Sequence, residues 1–146
     1  MNGLVPDLDL LRARVGRYAG HGIDDEDRPF HAELELAVEG AGLRLTASST
    51  GIDGTPLARH DATIGARDGQ LALWVGLDEH PRRFGGTVAG AVRTVVFGRG
   101  EPSDPAHDRV EIALDLWPDG QVSLRIASGP AGTVFRTRFT ARLRPA

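Results

Sequence analysis

The feature that most constrains this chain is a regular alternation of apolar and polar residues, broken at short intervals by turn residues. In the segment 29–38 every second residue is apolar, and most residues between are polar or charged. A period of two places one face of a β-strand against a core and the other toward water. Turn signals such as 68–69 (Asp-Gly) and 118–120 (Pro-Asp-Gly) separate the segments, because glycine accepts positive φ and proline presets φ. The pattern indicates an all-β, antiparallel protein.

The alternation predicts ten strands, and the N-terminal region predicts one short helix. The predicted strands span residues 15–20, 29–38, 42–50, 58–67, 70–77, 83–90, 92–98, 109–117, 120–127 and 133–144. The predicted helix covers Pro6–Arg14, with proline near its first position, acids in its first turn and arginines in its last. At 146 residues the chain is expected to form one domain, residues 1–146.

A sheet of ten short strands is predicted to close into a barrel, because closure removes the two unpaired edges that an open sheet would expose. Several residues in the inward phase are small: Ala32, Ala47, Ser49, Ala58, Ala62, Ala66 and Ala141. A barrel wider than eight strands and lined partly by alanine is expected to keep internal volume. The alternative is a flattened barrel whose interior is filled by the larger residues opposite.

Composition excludes several chemistries. The chain has no cysteine, and all 17 basic residues are arginine, which excludes thiolate and lysine nucleophiles. The net charge is −3 with acids and arginines interspersed, which argues against a nucleic-acid partner. No apolar run reaches the roughly 18 residues of a membrane span, and the first residues do not resemble a signal peptide. We therefore expect a cytoplasmic protein.

His60 is the first candidate for a functional side chain, because it falls in the inward phase of its strand. A buried imidazole needs polar partners, which a ligand can supply. The alternatives are a histidine satisfied by neighbouring protein groups or one at the barrel rim. The predicted ligand-binding set is His60, Ser49, Ala62, Leu73, Phe135 and Phe139. No catalytic or metal-binding motif is present, so we predict a non-enzymatic carrier or sensor of a small apolar molecule.

Other side chains are predicted to have structural roles. Tyr18 is expected to have a structural role in the first strand, and Trp74 and Trp117 to cover an end of the barrel from outside. The acidic segment 21–27 is expected to be a solvated loop. The last predicted strand carries arginines that are expected to face water and to pair with acids of neighbouring strands: Arg136, Arg138, Arg142 and Arg144. The alternative is a patch for an anion or a partner, including a homodimer formed along one wall.

Three short motifs resemble the nitrobindin-like branch of the lipocalin and fatty-acid-binding superfamily, the calycins. Residues 15–22 resemble its Gly-x-Trp-x-Gly-x-Gly opening strand, with Tyr18 at the tryptophan position. Residues 53–57 resemble its Asp-Gly-x-Pro-Leu turn, and 138–144 its His-Leu-x-Ala-x-Leu ending. The resemblance implies a calycin barrel of about ten strands with a short N-terminal helix.

The last motif departs from the family at its most important position. In haem-binding members its histidine is the axial iron ligand, and the matching residue here is Arg138. A guanidinium has no lone pair to donate to iron, so we predict no cofactor. One alternative function is haem-linked peroxynitrite isomerisation with His60 as a replacement ligand. Another is a structural or partner-binding barrel with a filled interior.

Overall fold

The computed structural model describes residues 6–67, 70–75, 82–89, 93–97, 109–129 and 136–146. It contains one short helix, α1 (Pro6–Arg12), and ten strands. The strands are β1 (Gly16–Asp24), β2 (Pro29–Glu39), β3 (Gly42–Gly51), β4 (Pro56–Arg67), β5 (Gln70–Val75), β6 (Arg82–Ala89), β7 (Arg93–Phe97), β8 (Arg109–Leu116), β9 (Val122–Gly129) and β10 (Arg136–Pro145). The predicted all-β architecture is confirmed. No helix among these residues is long and apolar enough to cross a membrane.

The strands form a closed antiparallel barrel. Each strand pairs with the next one in the chain, and β1 pairs with β10 to complete the circle. Tyr18, for example, lies opposite Leu34 of β2 on one side and Pro145 of β10 on the other. The predicted closure is therefore confirmed, and every strand among these ten has a partner on both sides.

Two glycines permit the close approach of β1 and β10 at the seam where the barrel closes. A Cβ atom on Gly20 would overlap the carbonyl oxygen of Arg142, and one on Gly22 would overlap that of Thr140. The Gly22 Cβ would also overlap the ring of Phe30, which packs over the missing side chain. Glycine at these positions lets another backbone approach closely, which a larger residue would prevent.

Helix α1 seals one end of the barrel, which we call the closed end; the β2–β3 and β8–β9 turns lie there. Leu8 and Leu11 are buried in the hydrophobic core, and α1 contacts β2 and β4. Arg12 donates to the carbonyl oxygen of Ala41 in the β2–β3 turn. Arg14 donates to the carbonyl oxygen of Trp117, with 2.6 Å between the atoms. Hydrogen bonds from α1 and from the residues just after it therefore connect this segment to both turns.

Tyr18 is buried beneath this helix. Its hydroxyl donates to the carbonyl oxygen of Arg14 at 2.6 Å, just after the end of α1. Burial raises the pKa of Tyr18, so the hydroxyl remains protonated and available as a donor. The side chain therefore combines apolar packing with a polar bond to the main chain near the end of the helix.

Two details differ from the sequence-based expectations, and a third agrees with them. Strand β1 continues to Asp24, so residues 21–23 are paired with both β2 and β10, and Asp24 with β10, instead of forming a loop. Val38, predicted to face inward, is 63% exposed because it lies at the end of β2 beside the β2–β3 turn. Trp117 lies at the closed end, in agreement with its predicted place at a barrel end: at the β8–β9 turn its indole NH donates to Ser123, and the guanidinium of Arg142 lies 4.3 Å from its ring centroid.

Candidate functional site

His60 points into the barrel. It lies on β4 opposite Ala47, and Ala47 is buried on the inner face of β3. Its imidazole contacts the ring of Phe139 on β10 edge-on, with 6.4 Å between the ring centroids. Strands β4 and β10 are separated around the barrel by β1, β2 and β3. The contact therefore crosses the interior and does not run along the wall.

Phe139 also stacks on Phe30. The two ring centroids are 4.7 Å apart and the planes differ by 20°. Phe30 on β2 is fully buried, whereas Phe139 is half-buried. Together with His60 these rings form what we call the aromatic cluster, which joins β2, β4 and β10. Stacked and edge-to-face arrangements at these separations are favourable aromatic geometries.

Two inward-facing residues of β4 beside the aromatic cluster are exposed, at the end of the barrel where the β1–β2 and β3–β4 turns lie, which we call the open end. Ala58 faces inward because it lies opposite the buried Ser49, and yet it is exposed. His60, two residues further along β4, is also exposed. Ala62 and Ile64 continue the same face and are buried. Among the described residues, the inner face of β4 is therefore exposed toward this end and buried at the next two inward-facing positions, Ala62 and Ile64.

The surroundings of His60 favour its neutral form. Partial burial lowers the pKa of His60 because the imidazolium loses hydration, and the nearby charge of Asp61 opposes this only partly. The Asp61 carboxylate accepts a hydrogen bond from Arg59 at 3.1 Å and is also close to Thr46, which lowers the pKa of Asp61. A neutral imidazole has one donor and one acceptor nitrogen, so it can contact either a hydroxyl or a carbonyl group.

The remaining predicted site residues lie at different depths. Ser49 is buried on β3 next to the aromatic cluster, and Ala62 and Leu73 lie deeper, within the core. Phe135 and the side chain of Trp74 lie outside the described residues. The sequence analysis did not identify Phe30 as a site residue. The alternating pattern of its strand indicates that Phe30 faces inward, but it does not indicate that the Phe30 ring stacks on Phe139.

Arg138 lies at the rim of the open end. The pairing of β9 and β10 shifts register between Thr137 and Phe139, so Arg138 is an extra residue there. Its Nη1 lies 3.1 Å from Oδ2 of Asp25, and its Nε donates to Oγ of Ser128 at 3.1 Å. This agrees with the prediction that Arg138 lies on a solvated face and pairs with a neighbouring acid, since its side chain remains 37% exposed. Arg142 and Arg144 are exposed, as predicted.

The Asp24 carboxylate accepts hydrogen bonds from the turn that contains Asp25, the residue that pairs with Arg138. The Oδ1 atom of Asp24 accepts hydrogen bonds from the main-chain NH groups of Glu26 and Arg28, each at 2.9 Å. These bonds, led by the one from Arg28, lower the pKa of Asp24. The acidic segment thus forms an ordered turn beside the rim.

The rim does not offer an iron ligand at the position that the family resemblance indicates. Arg138 donates hydrogen bonds to Asp25 and Ser128 and has no lone pair for a metal. Within the described parts of the chain, no group of three or more histidine, aspartate or glutamate side chains could hold a metal ion. These residues do not fit haem bound in the manner of the resembled family.

Comparison with solved structures gives a similar barrel. The chain is similar to the crystal structure of Rv2717c from M. tuberculosis, with a TM-score of 0.70 and 19% sequence identity. The alignment covers 98% of this chain and 99% of that one. No protein-family model matches the sequence, and no curated protein matches it either. At this identity the likeness shows the fold.

Proposed function

We propose that the protein binds a small apolar molecule inside the barrel, next to the aromatic cluster, as a carrier or sensor. One observation carries the proposal: His60 faces the interior and contacts Phe139 of the opposite wall, yet it is exposed to solvent. A ligand entering at the open end would displace the solvent that contacts the His60 side chain. The calycin resemblance and the barrel shared with Rv2717c support the same kind of site.

Binding would come mainly from apolar burial, which contributes about 25 cal/mol per Å2 of buried area. Phe139 provides half-buried apolar surface near the opening and is backed by the fully buried Phe30, while Ala47 and Ala58 have small side chains. His60 would provide a single polar contact that orients the molecule. Few polar groups converge there, so specificity would rest mainly on shape.

Fluorescence of 8-anilinonaphthalene-1-sulfonate tests this proposal. We expect the dye to bind the wild-type protein with enhanced emission, and Ala58→Trp to weaken this binding because an inward-facing indole would occupy the opening. Thr63→Trp is the matched control, since Thr63 is exposed on the outer face of the same strand. Equal dye binding by both variants, with native near-ultraviolet circular dichroism, would refute an interior site.

Haem bound through His60 is the alternative that implies an enzyme. Addition of haemin distinguishes it, because an imidazole-iron bond shifts the Soret band. We expect no shift that depends on His60. A shift in the wild type that disappears in His60→Ala would favour haem-linked chemistry such as peroxynitrite isomerisation. A barrel that binds neither haemin nor the dye would instead favour the structural, partner-binding alternative.

We assign no catalytic residue to the proposed carrier, and we propose that it is cytoplasmic. Cell fractionation tests the location. The homodimer also stays a prediction, and sedimentation velocity tests it.

A further inference from the structure

The outer wall of the barrel carries two histidines side by side. His21 on β1 lies directly opposite His31 on β2, and both are exposed. Their ring centroids are 4.7 Å apart, with the planes tilted by 56°. Neither side chain faces the interior, so this pair is separate from the proposed ligand site.

The separation of the two rings suits a shared metal ion. A metal–nitrogen distance of about 2.0–2.1 Å and an angle of about 90–110° between two imidazole ligands place the ring centroids roughly 4.4–5.1 Å apart. The observed separation lies within this range. The antiparallel pairing of β1 and β2 continues on both sides of the histidines, from Gly16 to Ile23, so the two backbones are held in place before any ion binds.

The neighbouring groups leave the pair accessible. Arg142 lies opposite His21 on β10, but its guanidinium is held over the ring of Trp117 and donates to Gln121 at 2.6 Å. Thr50 lies opposite His31 on β3 and carries no charge. Glu33, two residues after His31 on the same outer face, is an exposed acid that favours a nearby cation.

We propose that His21 and His31 form a surface binding site for a divalent transition-metal ion, with water completing the coordination. Imidazole is a suitable ligand for Cu2+, Ni2+ and Zn2+, whereas Mg2+ and Ca2+ prefer oxygen ligands. The described residues contain no cluster of three potential ligands, so two protein ligands define the site. The expected order of affinity places Cu2+ first, following the general order for divalent ions.

Isothermal titration of the full chain with CuCl2 and NiCl2 tests the proposal. We expect one Cu2+ ion per chain, and a loss of affinity of at least about tenfold in His21→Ala and in His31→Ala. His60→Ala is the matched control, since that imidazole faces the interior, and it should bind the ion as the wild type does. MgCl2 should give no binding.

Proton NMR provides a second readout that does not depend on the variants. Substoichiometric Cu2+ should broaden the ring signals of His21 and His31 before those of His60. A wild-type protein that binds no Cu2+, or a His21→Ala/His31→Ala double variant that binds it with unchanged affinity, would overturn the proposal. Broadening that begins at His60 would have the same consequence.

Discussion

His60 of β4 and Phe139 of β10 meet edge to face across the interior of the barrel, with 6.4 Å between their ring centroids. The contact joins two walls separated by three other strands. It also places the one inward-directed imidazole of the described chain against apolar surroundings, where its protonation is disfavoured.

Stability should therefore depend on pH through His60. Its pKa is below the ordinary value of 6.5 in the folded protein and returns to that value on unfolding. The unfolded state then binds more protons, so the free energy of unfolding falls as pH drops through 6.5 toward the lower, folded-state pKa. Urea unfolding of the wild type and His60→Gln at about pH 8 and about pH 5 measures the effect. The decrease should be smaller in the variant; equal decreases would contradict this assignment.

Gly22→Ala should destabilise the seam between β1 and β10. The added methyl would meet the Thr140 carbonyl oxygen and the Phe30 ring, and the backbone oxygen cannot move without disturbing the pairing. Overpacking of this kind costs about 1–3 kcal/mol. Thermal or urea unfolding measures the loss. Ala19→Ser, on the exposed face of the same strand, is the control and should change stability by less than about 0.5 kcal/mol.

Tyr18→Phe should reduce the free energy of unfolding by about 1 kcal/mol, because the hydroxyl donates to a main-chain carbonyl in a partly buried site. The acceptor belongs to the backbone of Arg14, so Arg14→Ala should leave the effect of Tyr18→Phe unchanged. Urea unfolding of the two single variants and the double variant tests this. A strong coupling between the two substitutions would show that the Arg14 side chain, and not its carbonyl group, is involved.

Leu11→Ala should loosen the closed end. Leu11 is fully buried on the core-facing side of α1, and truncating such a leucine costs about 2–5 kcal/mol through lost burial and the remaining cavity. Leu57→Ala provides the comparison, since Leu57 is 55% exposed and its truncation should have little effect. Similar losses in both variants, measured by urea unfolding, would mean that the helix does not seal the core.

Much of the fold was predictable because strand alternation is a local property. Each strand needs only its own sequence to bury one face, and closure follows from the requirement that edges be paired. His60 was placed inward for the same reason. Its contact with Phe139 was not predictable, because it depends on how far the barrel curves between β4 and β10.

The errors share a cause, which is that the relevant contacts lie between strands. The first predicted strand ends at residue 20, before Gly22, whereas Gly20 and Gly22 both lie within β1 and admit β10 at close range. With β1 ended too early, the pairing of His21 with His31 could not be predicted. The register shift at Arg138 likewise depends on the partner strand β9.

The order of the strands has a consequence for folding kinetics. Nine of the ten pairings join strands that are consecutive in the chain, and only β1 with β10 joins distant segments. Tyr18 and Pro145, which face each other there, are 127 positions apart. Because loop-closure entropy grows with chain separation, we expect this pairing to form after the transition state. Substitutions along it would then accelerate unfolding while leaving the refolding rate nearly constant, which a chevron analysis would reveal.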